Sequence, residues 1–496
     1  MQTDLSGSLS PYQPSEDLDH GSNGTMGQHR GSLRAKLELT LVFVGVLLLG
    51  LTPYPRAYTA ALRQAESHRA AHETGAALDA CLQATRLEPQ APLPWLHMGN
   101  MLLEGQRFVK AGLAFQEAER SGAGAEALLG LGQSQAGQGD WAAAMRTWLR
   151  ALELAPDEAN LYVLLARAAV AQGQFDLAAS YLQQALQHEP SPGAAAEAHA
   201  LLGRVLVATD PEAAAGQARL AGDDGLLALL ETADAEPDPA RRALLLGASF
   251  LQQSELSLAR HHFEQAVTLA PSDTKARAYL AHTLELEGKT AVAREMLDQA
   301  LALDPDSVLA HYFLALHWQG LGYVAGAQAE LWEALRHDPE NAALRVEMAE
   351  TFVRLGDYAQ ADEWYQGAVE AAPDDVEFHL LLAHFYLDHL YRVEQGGLPA
   401  AQAAVELAPD DARAYDLLGW AYHLAGRPME AQQALSRALV LDPDLASAHY
   451  HLGSLYAATG RPALARQHLQ RAADLDTEGY VRRRAEALLN EPRQSK

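Results

Sequence analysis

Proline returns at a fixed step along most of this chain, and that recurrence constrains the fold more than any other feature. Pro271, Pro305, Pro339 and Pro373 stand 34 residues apart, each just after an apolar helical stretch. A step of 36 leads to Pro409 and a step of 34 to Pro443; the next lands on Thr477, where the proline is missing. Pro89, Pro156 and Pro190 hold comparable places upstream. A constant period of this size marks a solenoid, in which each unit buries its apolar face only against its neighbours. It also explains how 496 residues can fold without one oversized core.

Within a period the pattern is two short amphipathic helices. Between Ala412 and Pro443, Tyr415, Leu418, Gly419 and Tyr422 fall at the i, i+3, i+4, i+7 spacing of one helical face, and Ala431, Leu435 and Ala438 form the face of a second helix. Gly426 and Arg427 supply the turn, since glycine leaves a helix most cheaply. The small residues Gly419 and Ala431 are expected to meet where the two helices approach. Asp and Glu follow many of the prolines, as at Asp306, Glu340, Asp374, Asp375, Asp410 and Asp411, and are expected in the first turn of the next helix.

This pattern resembles the tetratricopeptide repeat. It recurs as Trp95, Gly99, Ala111, Phe115 and Ala118; as Leu131, Gly132, Ala144, Trp148, Ala151 and Pro156; and as Leu246, Gly247, Phe250, Ala259, Phe263, Ala266 and Pro271. It runs on through Leu314, Met348 and Leu418 to His449, Leu452, Gly453, Ala465 and Leu469. The resemblance implies an all-α, right-handed superhelical solenoid of stacked helix-turn-helix units. It further implies a groove along the first helices that holds a protein or peptide. On that reading the partner-binding residues of the C-terminal half are His282, Tyr312, His384, Asp416, Trp420, His423 and Tyr450. The family's Lys and Asn clamp for a C-terminal carboxylate is absent, so capture of chaperone tails is not implied.

The ends of the chain differ from its body. Residues 1–32 are polar and rich in Ser and Gly, too poor in apolar groups to offset chain entropy, and read as a disordered tail. Residues 33–57 carry an uncharged run from Leu39 to Thr52, with Tyr54 and Tyr58 beyond it, and are expected to cross a membrane once as a signal anchor. No Ala-x-Ala-like cleavage site follows this run, and no lipidation cysteine. The flanking basic residues favour tail in and body out. Residues 58–190 form an N-terminal block of about four repeats, and 240–477 a C-terminal block of about seven. In residues 191–239 the step from Pro190 to Pro237 is 47, one period plus 13, and Asp210-Pro211 and Asp223-Asp224-Gly225 break what should be a second helix, which points to a distorted repeat with an extra helix or loop, and to a hinge. Residues 478–496 supply a capping helix, with Arg482, Arg483 and Arg484 on a solvated face, and a short tail.

Composition removes several classes of function. A net charge of −27 opposes any general grip on nucleic acid. The single cysteine, Cys81, rules out a disulfide framework and a multi-cysteine metal site. Gly288-Lys289-Thr290 lacks the upstream glycine of a phosphate loop and falls at a turn between helices. His379, His384 and His389 are five residues apart, about 140° round a helix, and His449 with His451 is no better placed to share a metal. No cofactor, metal or catalytic set is expected. The expected function is a membrane-tethered scaffold for protein–protein interaction. The alternatives are an accessory subunit of an envelope polysaccharide or assembly machinery and, with inverted topology, a cytoplasm-facing adaptor.

Overall fold

The computed structural model describes residues 56–490 apart from 72, 189, 477 and 478. The polar tail, residues 33–55 of the expected membrane segment, and the last six residues lie outside them. Among the described residues there are 26 α-helices, one short π-helical turn and no strand. None of these helices is long and apolar enough to cross a membrane.

The chain forms two compact units, divided after Pro156. The first holds α1 (Arg56–Ala70), α2 (Thr74–Leu87), α3 (Pro92–Glu104), α4 (Phe108–Arg120), α5 (Gly124–Gly137) and α6 (Trp141–Leu154), packed as three successive pairs. The second begins with α7 (Ala159–Ala171), α8 (Phe175–Gln187), α9 (Pro192–Leu206), α10 (Pro211–Ala221) and α11 (Asp224–Asp234). Next come α12 (Pro239–Gln252), α13 (Leu256–Leu269), α14 (Thr274–Leu286), α15 (Thr290–Leu303), α16 (Val308–Gly320), α17 (Val324–His337), α18 (Ala342–Leu355) and α19 (Tyr358–Ala371). It ends with α20 (Val376–Asp388), α21 (Leu398–Leu407), α22 (Ala412–Leu424), α23 (Pro428–Leu441), α24 (Ala446–Ala458), α25 (Pro462–Leu475) and α26 (Tyr480–Asn490).

Three local rules, repeated, hold each pair in place. First, the residue two after a repeat proline caps the next helix: Asp273, Ser307, Asn341, Asp375 and Asp411 each accept a backbone N–H from its first turn. The acidic residues thus stand at or before the helix start, and those at the cap satisfy its orphan donors directly. Second, the residue six after the proline donates back to the proline carbonyl, as Arg277, His311, Arg345, His379 and His449 do. Third, a glycine of the first helix receives a large side chain sixteen residues on. Gly99 faces Phe115, Gly132 faces Trp148, Gly247 faces Phe263, Gly419 faces Leu435 and Gly453 faces Leu469. The three atoms nearest a Cβ on Gly419 all belong to Leu435, one turn beyond Ala431 on the same helix.

The irregular region keeps its first helix, α9, and follows it with α10 and the extra helix α11. Asp210 and Asp223 are the N-caps of α10 and α11, so the residues that interrupt one helix start two. Sixteen residues after Gly203 stands Arg219, which cannot fill an apolar hole. Leu226 of α11 comes within 3.0 Å of a Cβ built on Gly203 and takes that place. The region is tied to its surroundings by ion pairs: Arg204 reaches Asp223 at 3.2 Å and Glu255 at 3.3 Å. Ser257 Oγ donates to Ala171 O at 3.2 Å, and the rings of Phe175 and His261 stand 4.7 Å apart. The insertion bulges out, and the chain closes again beneath it.

The 36-residue step has a local cause too. Arg392 sits at φ 46° and starts a π-turn, Val393–Gly397, which absorbs the two extra residues. Gly396 and Gly397 lie under Tyr386, where a Cβ on Gly396 would come within 2.4 Å of the ring. Buried Asp362 ties the turn down by accepting from Arg392 Nη1 at 2.6 Å and from the Tyr386 hydroxyl. At the C-terminal end α26 covers Tyr450, Leu469, Ala472 and Ala473 with Ala485. There Arg482 is a structural anchor, its Nε donating to Ala473 O at 2.8 Å.

Candidate functional site

The first helices of successive repeats touch one another at α14–α16, α20–α22, α22–α24 and α24–α26. Side chains presented along this row lie on consecutive repeats, which is how a solenoid builds an extended binding surface. The seven residues singled out from sequence all lie on these first helices, but the fold gathers them into two separate clusters.

One cluster spans α14, α16 and α18. His282 stacks on Phe313, with ring centroids 4.4 Å apart and planes within 4°, and Tyr312 adjoins Phe313 at 5.3 Å. The Tyr312 hydroxyl donates to Glu347 Oε1 at 3.4 Å, while Gln319 Nε2 donates to Glu347 Oε2 at 3.4 Å. Burial pushes the His282 imidazole below its ordinary value, so the ring is neutral at pH 7. Burial and the nearby Glu347 carboxylate push the Tyr312 phenol up to about 12. The same burial, with Glu350 adding to it, holds the Glu347 carboxyl above the usual range. The Glu347 carboxylate takes its direct hydrogen bonds from two neutral groups, while the Arg354 guanidinium nearby partly offsets its burial, so the cluster can still accept a cation or a hydrogen-bond donor.

The second cluster spans α20, α22, α24 and α26. His451 Nδ1 pairs with Asp416 Oδ1 at 2.7 Å, and the His451 ring stacks on Trp420 at 4.3 Å. The His423 ring lies 5.1 Å from the indole, so Trp420 is flanked by two imidazoles. Burial, and then the proximity of His451, lowers the His423 pKa. His384 is exposed and stands 3.8 Å from Asp388. Burial works against ionisation of Asp388, but His384, Arg484 and His451 together hold its carboxyl below the ordinary value.

Two of the seven are taken up within the protein itself. Asp416 is 3% exposed and its carboxylate is occupied by His451, so it braces α22 to α24. Tyr450 is 8% exposed beneath the capping helix, with the Arg484 guanidinium 5.4 Å above its ring. Tyr312, Trp420, His423 and His282 remain partly exposed, and His384 is exposed. His451, Asp388 and Glu347 were missed from sequence. His451 stands one period plus one residue after Asp416, a signal visible only once the period is used to superpose first helices.

Among the described residues no group of three or more His, Cys, Asp or Glu side chains is placed to hold a metal. Cys81 is buried, and burial pushes its thiol up to about 11, which leaves it unreactive. Gly288 adopts φ 76° in the turn before α15, so the phosphate-loop-like triplet is a helix connection.

Paired helices with a recurrent glycine hole, an Asp, Ser or Asn cap and a row of touching first helices define an all-helical repeat scaffold. Family models of the tetratricopeptide repeat match residues 62–126, 126–158, 163–225, 250–317, 320–385, 400–433 and 425–479, and the chain belongs to that family. A search of the curated proteins found no match. Among solved structures, yeast Tom70 is similar at 17% identity, covering 87% of this chain and 94% of that one with a TM-score of 0.41. YrrB, described as a repeat protein of this family with an unusual peptide-binding site, is 21% identical over 38% of this chain and 97% of its own, with a TM-score of 0.30. MamA 41-end from Desulfovibrio magneticus RS-1 is 25% identical over 34% of this chain and 94% of its own, with a TM-score of 0.30.

Proposed function

We propose that this protein is a membrane-tethered scaffold that holds a protein or peptide partner along the first helices of residues 240–477, by binding and without catalysis of its own. The observation that carries the reading is Trp420. Its indole stays partly exposed while one face is stacked on His451 and His423 flanks it, so a large apolar surface is held rigid and accessible at the join of two repeats. Rigid aromatic anchors of this kind dominate the energetics of protein interfaces. Tyr312 offers a second ring two first helices upstream of α20, and its hydroxyl is already oriented by Glu347.

The tether rests on the uncharged run from Leu39 to Thr52. Carbonate extraction of membranes tests it: retention of the full-length chain is the expected result, and release into the soluble fraction overturns it. Protease accessibility of the body in intact cells decides which side it faces, expected to be the outside. The binding surface is tested with a photo-crosslinking residue at His423. The expected outcome is a discrete adduct that is lost when Trp420 is replaced by Ala. Adducts insensitive to that change refute the surface.

A further inference from the structure

His449 and His468 stand on the two helices of the last full repeat, α24 and α25, with their Nδ1 atoms 2.9 Å apart. Sequence spacing compared His449 only with His451, whereas the fold sets it against a residue nineteen positions on. The orientation of His449 is fixed by the second of the three local rules: its Nε2 bonds to Pro443 O at 3.1 Å. A neutral imidazole that gives Nε2–H to a carbonyl presents a bare lone pair at Nδ1. A ring nitrogen hydrogen-bonded to a backbone carbonyl is also the usual second-shell arrangement of a metal-ligating histidine.

The equivalent place in an earlier repeat carries a different partner. His311 makes the same bond to Pro305 O, at 2.9 Å, but its Nδ1 faces Glu330 at 2.7 Å. There the hydrogen bond to the Glu330 carboxylate favours the protonated imidazole and raises its pKa. At His449 the opposing group is a second imidazole, which replaces an ion pair by two nitrogen donors. Burial, and then the neighbouring His449, lowers the pKa of His468 and keeps it unprotonated at pH 7.

We infer that His449 and His468 form a two-nitrogen chelate for a divalent transition metal, stapling α24 to α25 next to the capping helix. With metal–nitrogen bonds of about 2.0–2.1 Å, cis ligands at 90° lie about 2.9 Å apart, whereas tetrahedral ligands lie about 3.3 Å apart. The observed separation fits tetragonal or octahedral coordination, and imidazole donors in that geometry select Cu(II) or Ni(II) over Zn(II). To bind, His468 moves its proton from Nδ1 to Nε2, and no group outside the pair has to ionise. The remaining coordination positions go to water, since the described residues place no third His, Cys, Asp or Glu there.

The test uses the full-length chain purified in detergent without a polyhistidine tag, titrated with Cu(II) and Ni(II) salts. One equivalent of Cu(II) bound more tightly than the rest, with nitrogen hyperfine structure in its electron paramagnetic resonance spectrum, is expected. His449→Ala and His468→Gln should each weaken that equivalent by about tenfold or more, and His311→Ala should leave it unchanged. Hydrogen exchange on the unmutated protein gives a readout independent of the variants' folding: Ni(II) should slow exchange within residues 446–475. An isotherm and spectrum unmoved by both histidine changes, or protection that is absent or lies elsewhere, overturns the site.

Discussion

Gly419 lies so close to Leu435 that a Cβ built on it would stand 2.5 Å from the leucine Cγ and 3.0 Å from its backbone nitrogen. The backbone contact matters most, because a side chain can rotate away and a helix cannot. Gly419→Ala should therefore destabilise the protein by about 1–3 kcal/mol, the usual range for overpacking. Gly216 in α10 is the control: nothing lies within 4 Å of a Cβ there, and alanine should stabilise by about 0.5–1 kcal/mol through helix propensity. Chemical denaturation of both variants checks the pair. A neutral Gly419→Ala contradicts the close approach.

This relationship also shows how far the sequence was legible. The period, the helix faces and the turn at Gly426 were read directly, because prolines and apolar spacing are local signals. The partner of Gly419 was not, since Ala431 and Leu435 lie on the same face of α23 and only the depth of helix packing chooses between them. Likewise Asp416 and His451 belong to different repeats, so their pairing depends on how one repeat is rotated on the next. The bracing of residues 191–239 was hidden for a related reason. Ser257 and Ala171 meet across 86 residues, a separation at which no periodic pattern speaks.

His262 is 1% exposed and stacks on Phe250 at 5.3 Å, and burial pushes its pKa down to about 4. In the unfolded chain the same group titrates near 6.5, so below that pH the unfolded state takes up a proton that the folded state refuses. Stability is thus full above about pH 6.5 and falls as the pH drops towards 4, by an amount on the order of 3 kcal/mol. Replacing His262 by Phe should flatten the decline over this window. Urea denaturation at pH 7, 5.5 and 4.5 measures it, and equal slopes for the two proteins would exclude His262 as a source.

Arg204 joins α9 to the loop before α11 and to Glu255, which caps α13 in sequence position. Removing the guanidinium leaves the partly buried Asp223 and Glu255 carboxylates without their shared cation, at a cost of about 1 kcal/mol. The effect should be local: limited proteolysis within residues 207–239 should accelerate in Arg204→Ala, with the melting of residues 240–475 little changed. Uniform acceleration along the whole chain would instead show that the brace carries global stability.

Trp420 and Tyr312 sit in separate clusters with no shared partner, so their contributions to binding should add. Truncating a rigid aromatic anchor at an interface costs about 2 kcal/mol or more, which corresponds to roughly 30-fold in affinity. Trp420→Ala and Tyr312→Ala should each weaken a crosslinked partner to that extent, while Trp420→Phe, which keeps a ring against His451, loses less. Asp416→Asn separates binding from bracing. It leaves the indole in place but weakens the pairing with His451, so it should lower the melting temperature more than it lowers affinity. Titration calorimetry with the identified partner, with circular dichroism to verify helicity, measures both. If Asp416→Asn weakened binding as much as Trp420→Ala did, the indole would be acting through the fold and would not be touching the partner.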